Sequence, residues 1–298
     1  MMRDAMQRTL SDAADCRRAW RTGVLLFMIT PFGCSHGTSI SNSSRHSEMD
    51  RGASEQDAAS DHLPRGASRH GGVSTYSSLP ALFAGEVGSR LLLSELPSNE
   101  SLVGVGSLSG LRGEIAIFDG EIWVSYPDAA GARRTNSEQA AFLAVASVNQ
   151  WHTVALTRKV DWHRLPGELA RHVNELGLSS EDSIAVRIED RVEGIEFNIV
   201  NGPKLGLDQR APAPISKEAL SQTATKRSVP QARAMIAGFY ARDNAQAFIH
   251  PGKTLHLHVI LPDLEQMGHL DAVILPEGVT LELGRPASET KRTTARRD

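Results

Sequence analysis

The chain has 298 residues, with 32 basic and 35 acidic side chains and a net charge of −3. The signs are mixed, no basic stripe exists to follow a phosphate backbone, and only 5% of residues are aromatic, which excludes nucleic acid as a partner. The two cysteines, Cys16 and Cys34, precede the expected folded body and exclude a cysteine-ligated metal or disulfide in its core.

Residues 1–34 read as a signal- or lipoprotein-like export segment. Arg17, Arg18 and Arg21 precede the apolar run Val24 to Ile29, and the small pair Gly33-Cys34 follows. Cys34 stands where a bacterial lipoprotein is cleaved and lipidated, although Pro31-Phe32-Gly33 departs from the usual aliphatic-small-small triplet. The expectation is an exported, periplasmic or cell-envelope protein, with a lipid anchor to the membrane through Cys34 and a homodimer both compatible with it. Residues 35–75 are rich in Ser, Gly, His, Asp and Arg, and hold few large apolar side chains beyond Ile40, Met49, Leu63 and Val73. Such a segment buries too little surface to offset the entropy of ordering, so a disordered tether is expected, with His36, His46, His62 and His70 solvated.

The body begins at Tyr76. Ser78 to Gly85 predicts a short helix closed by glycine. Strands are expected at Val103–Leu108 and Glu114–Asp119, with a turn at Asp119-Gly120 and an antiparallel return over Glu121–Tyr126. Ala140–Val148 and His152–Leu156 read as further strands. Leu169, Val173 and Leu176 carry helical spacing over Pro166–Leu176, with Gly177 as the stop. Asp182–Ile188 and Glu193–Val200 read as two more strands. Asn201–Ser228, rich in Pro, Lys, Ser and Thr, is expected as an interdomain crossing. Arg233–Tyr240, Thr254–Leu261, Asp271–Leu275 and Val279–Leu283 complete a second strand-rich unit. The fold class is therefore mixed, strand-rich α/β: two packed α/β subdomains with mixed sheets, at 76–205 and 206–284, followed by a basic flexible tail at 285–298.

Chemistry concentrates near the C-terminus. In Leu255-His256-Leu257-His258-Val259, residues two apart share a strand face, so His256 and His258 project together. The segment Pro262 to Gly268 can loop back to bring His269 as a third nitrogen donor. Three neutral imidazoles hold a catalytic divalent metal with a position left open for substrate; two hydrogen-bonded strand histidines and a surface third are the plainer alternative. Trp151-His152 and Trp162-His163 read as core-edge and surface aromatics. No phosphate loop and no Gly-x-Ser-x-Gly elbow is present.

From Tyr76 to Leu283 the chain resembles bacterial α-acetolactate decarboxylases. The resemblance rests on Leu82-Phe83-Ala84-Gly85-Glu86, Gly110-Leu111-Arg112-Gly113-Glu114 with Phe118-Asp119-Gly120, Ala185-Val186-Arg187-Ile188-Glu189, Ile236 to Tyr240 with Ala245-Gln246, and the three histidines with Gly268-His269-Leu270-Asp271. It implies a metal centre of His256, His258 and His269, with Glu114 as the active-site glutamate and a zinc-type ion as cofactor. It places Ser107 where the family has a threonine, and Asn198 where the family has an arginine. Asn198 cannot supply that arginine's charge; Lys204 and Arg191 are the nearby substitutes. Leu264 replaces an arginine between the second and third histidines, and Glu289 is not a secure match for a tail glutamate of the family.

The implied activity is that of a carbon–carbon lyase, converting the small keto acid 2-acetolactate to acetoin and carbon dioxide. The metal would act as a Lewis acid toward the ketone and hydroxyl oxygens, with Glu114 ligating or moving a proton. The changes at Asn198, Ser107 and Leu264 leave two alternatives: a related lyase or isomerase acting on another small keto acid, or a non-catalytic binding protein retaining the fold.

Overall fold

The computed structural model describes residues 63–128, 131–178, 183–207, 213–242 and 245–287. The export segment, the tether up to residue 62 and the tail from residue 288 lie outside the described residues.

The first sheet holds β1 (Ser68–His70), β2 (Val73–Tyr76), β3 (Leu91–Leu92), β4 (Leu102–Leu108), β5 (Glu114–Phe118), β6 (Glu121–Ser125), β7 (Arg133–Arg134) and β8 (Gln139–Ser147). Its order is β1-β2-β8-β4-β5-β6-β7, with β3 also on β8. The second holds β9 (Trp151–Ala155), β10 (Val160–Asp161), β11 (Ile184–Ile199), β12 (Thr225–Tyr240), β13 (Leu255–Leu261), β14 (Gln266–Leu275) and β15 (Thr280–Gly284), in the order β10-β14-β13-β12-β11-β15-β9. Three helices complete the body: α1 (Leu79–Phe83), α2 (Leu165–Glu175) and α3 (Lys217–Thr223). Among the described residues, no helix is long and apolar enough to cross a membrane.

Because β14 pairs with β11 as well as with β13, strands β11 to β14 close into a ring. One cluster built from all four fills it, including Val186, Ile236, Leu257, Val259 and Leu270, and α2 packs onto that cluster through Leu165, Leu169 and Val173. Alternation along β13 does the sorting. Leu255, Leu257, Val259 and Leu261 enter this cluster, so His256, His258 and Ile260 face the other way, toward the first sheet. There Ile260, Met267 and Ala237 meet Val103, Ala116 and Phe118. On β5, Ile115 and Ile117 fill the far side of the first sheet, which leaves Glu114 on the side facing the second.

The strand-rich body with few helices matches the expectation, as do α1, α2 and the hairpin from β5 to β6. At that hairpin Asp119 (φ 49°) and Gly120 (φ 72°) take the left-handed conformations a tight two-residue turn requires. Several details differ. Every pairing among the described strands is antiparallel, where mixed sheets were expected. The boundary at 205/206 falls between β11 and β12, which pair along nearly their whole length, so the second sheet draws strands from both sides of it. The two strands expected at 182–200 are one strand, β11, with register irregularities against β14 between Glu193 and Phe197. The expected crossing contains α3, capped by the Ser216 hydroxyl accepting from the Ala219 N–H at 3.1 Å, and the start of β12. The end of the expected tether also folds: β1 and β2 extend the first sheet, and the ring of His70, expected to be solvated, lies 6.3 Å from that of Phe248.

Candidate metal centre

Three adjacent antiparallel strands set the site in register. On β13 and β14, His258 stands directly opposite His269; on β14 and β11, His269 stands opposite Asn198. The chain loops back as expected, but over a shorter stretch than Pro262–Gly268: a tight turn at Pro262–Leu264, closed by Glu265 at φ 51°, starts β14 at Gln266, so His269 sits on a strand. The ring centroids of His256 and His269 lie 5.0 Å apart, those of His256 and His258 5.3 Å, and those of His258 and His269 5.4 Å. All three predicted histidines therefore converge.

A fourth joins them. His250, in the turn before β13, has its ring 5.3 Å from His256 and 5.4 Å from His269. Ring nitrogens of His250, His256 and His269 lie within 4.8 Å of one another. Sequence reasoning missed His250, because a turn residue six positions before His256 shares no strand period with it. The His-Pro-Gly turn signature beside a histidine strand was the available signal.

The surroundings fix the donors. His256 Nδ1 donates to the Phe248 carbonyl at 2.5 Å, which turns the unprotonated Nε2 to other partners. Phe142 stacks on the same ring at 6.1 Å with an interplanar angle of 1°. Glu114 is 3% exposed and accepts the Val200 N–H through Oε1 at 3.0 Å, while its Oε2 lies 3.8 Å from His258 Nε2. Burial pushes the Glu114 carboxyl up to about 8, the Val200 N–H opposing this and Asp271 adding to it. Burial also holds His256, His258 and His269 well below the usual imidazole value, each further lowered by neighbouring histidines. His250 falls to about 4 through burial and then the charges of Lys217 and Lys253. The cluster is therefore neutral at pH 7, the state in which imidazoles bind metal.

Several polar atoms here lack any protein partner. His250 Nδ1, His258 Nδ1 and Ser107 Oγ are buried and unbonded. Each such group costs about 1–3 kcal/mol if left unsatisfied, a cost that a bound ligand would offset. Imidazole nitrogens with one carboxylate suit a divalent ion such as zinc or iron, and the residues present fit one.

The cluster floors a cavity of about 670 Å³. Ser107, Glu114, Asn198, His250, His256 and His269 all line it, whereas His258 lies behind the floor, against Glu114. Asn198 donates its amide to Asp271 at 2.8 Å and brings no charge. Lys204 and Arg191 do not line the cavity; the cations that do are Lys217, Lys226 and Lys253. Leu264 is 44% exposed in the β13–β14 turn and takes no part in the cavity. Trp162 and His163, expected at the core edge and surface, line its wall.

The α-acetolactate decarboxylase family model matches residues 73–290. Among solved structures, the chain is similar to α-acetolactate decarboxylase from Bacillus subtilis strain 168, with 20% identity, a TM-score of 0.58, and coverage of 72% of this chain and 85% of that one. The acetolactate decarboxylase of Bacillus subtilis subspecies spizizenii gives 22% identity, a TM-score of 0.58 and the same coverages. A Staphylococcus aureus protein of unknown function, described as similar to α-acetolactate decarboxylase, gives 16%, 0.55, and 70% and 83%. At these identities the likeness is one of fold. A search of the curated proteins gives no match.

Proposed function

The chain belongs to the α-acetolactate decarboxylase family, and we propose that it is a metal-dependent carboxy-lyase releasing acetoin and carbon dioxide from 2-acetolactate. The observation that carries this reading is the convergence of neutral imidazoles and a buried carboxyl on the floor of one cavity. His256, His258 and His269, with Glu114 beside them, would hold a divalent ion, zinc for preference. When bound, such an ion would supply Lewis acidity to the substrate's ketone and hydroxyl oxygens.

The chain's own groups supply the rest. Glu114 is fixed by the Val200 N–H and lines the cavity beside the histidines, so it can ligate the ion or pass a proton to the product carbon. Ser107 pairs across the strands with Glu114 and has a free hydroxyl to offer a substrate oxygen. The lysines on the cavity wall provide the positive field a carboxylate substrate needs, a charge Asn198 cannot give. Leu82, Phe83, Phe142 and Leu220 give the cavity its apolar lining.

The cavity volume favours one second reading. About 670 Å³ with three lysines is roomy for a five-carbon acid, so a larger keto acid is the alternative substrate of the same chemistry. Purified full-length chain, stripped with chelator and reloaded with zinc, would be assayed for acetoin release from racemic acetolactate. Turnover lost on stripping, restored by zinc and reduced about 10²- to 10⁴-fold in Glu114→Gln is expected. A zinc-loaded protein that leaves acetolactate untouched would contradict the substrate assignment and pass the test to longer keto acids. The export reading of residues 1–34 is a separate proposal, and a Cys34→Ala variant recovered from the membrane fraction as fully as wild type would overturn the anchor.

A further inference from the structure

His250 is absent from the ligand set that the sequence suggests, yet it stands closer to the cavity than His258 does. It comes from Ile249-His250-Pro251-Gly252, the turn that feeds β13. Its ring is 5.3 Å from His256 and 5.4 Å from His269, and one nitrogen from each of these three rings falls within a 4.8 Å set. That set does not include His258, which lies below the cavity floor with its Nε2 turned to Glu114. His250 Nδ1 is buried without a protein hydrogen-bond partner, a cost that a bound ligand would offset.

We propose that His250 is a direct metal ligand, joining His256 and His269 on the cavity side while His258 approaches from beneath. This rests on the metal-dependent reading above and deepens it. Four imidazoles would bind the ion more tightly than three, and the donor set would be nitrogen-rich. Substrate would then have to enter by expanding the coordination beyond four. Glu114, no longer needed as a ligand, would be free to carry a proton.

The test uses full-length protein loaded with one equivalent of zinc. Affinity is read by competition with a chromophoric chelator, and X-ray absorption counts the imidazoles on the ion. His250→Ala and His250→Gln are compared with His152→Gln, a control on β9 outside the cluster. The expected result is four imidazoles in the wild type, one fewer in either His250 variant, and an affinity loss on the order of 100-fold there, with the control unchanged. If the His250 variants match the wild type in count and affinity, the inference is overturned, while the decarboxylase reading stands or falls separately on acetoin release. Unchanged metal binding with lost acetoin release would also overturn it, and would make His250 a group that acts on substrate. A wild type that takes up no zinc would sink both this inference and the metal-dependent reading. Should circular dichroism show that the variants do not fold, the wild-type count decides: four supports the proposal, while at three a His258→Ala variant that keeps all three imidazoles supports it and one that drops to two rejects it.

Discussion

Glu114 is the residue whose protonation a bound cation decides. Its carboxyl is buried and raised to about 8, so in metal-free protein it stays protonated at pH 7 although the unfolded chain ionises it near 4.5. A folded pKa raised above the unfolded value gives stability that is present at low pH and lost as pH rises through the folded value. The histidines act oppositely, because their lowered pKa values cost stability below about 6.5, where the unfolded chain protonates them. Between pH 7 and 8 the Glu114 effect stands clear. Metal-free protein should lose about 1 kcal/mol between pH 7 and 8 in urea unfolding, and Glu114→Gln should flatten that slope. Identical slopes in the two proteins would show that Glu114 is already ionised. His256→Ala should also lower zinc affinity by at least about 100-fold, since the ring that Phe248 orients is lost outright.

At the scale of elements, the ring of strands depends on how closely β12 approaches β13. Gly238 pairs with Leu257 at φ 152°, and a Cβ there would overlap the His256 carbonyl oxygen. Gly238→Ala should destabilise the protein by about 1–3 kcal/mol and weaken zinc binding, since it pushes on the strand that carries two ligands. Gly252→Ala, where a Cβ meets open space, should cost only about 1–2 kcal/mol, the penalty of its positive φ. Thermal melts of the two variants with and without zinc would separate the effects. These elements also show what was legible in the sequence. Alternation along Leu255–Leu261 placed His256 and His258 on one face and apolar residues on the other, and the structure agrees. The register of His258 against His269 was not readable, because it is set by the turn at Pro262–Leu264. The stretch Glu189–Val192 read as a break and Thr225–Ser228 as part of the crossing, yet both lie within the paired β11 and β12. Their ladder is made by backbone groups, which demand no apolar pattern. His250 was invisible because turns bring residues together without periodicity.

At the scale of the whole molecule, the site exists because two sheets meet. Glu114 and Ser107 come from the first sheet and the histidine strands from the second. Arg187 on β11 fastens them: it donates to Glu282 on β15 at 2.6 Å and to Asp119 in the β5–β6 turn, and lies over the rings of Trp151 and Phe118 at 4.6 and 5.5 Å. Arg187→Ala should cost about 1.5–3 kcal/mol, as expected for charged hydrogen bonds at a half-buried site, and lower turnover further as the sheets loosen. Urea unfolding alongside acetoin assays would check both. The measurement that bears most directly on the central claim is anomalous diffraction at the zinc edge from crystals of the zinc-loaded chain. One strong peak is expected on the cavity floor, about 2.0–2.1 Å from ring nitrogens of His256 and His269. A floor without a peak, or an ion bound elsewhere on the chain, would contradict it.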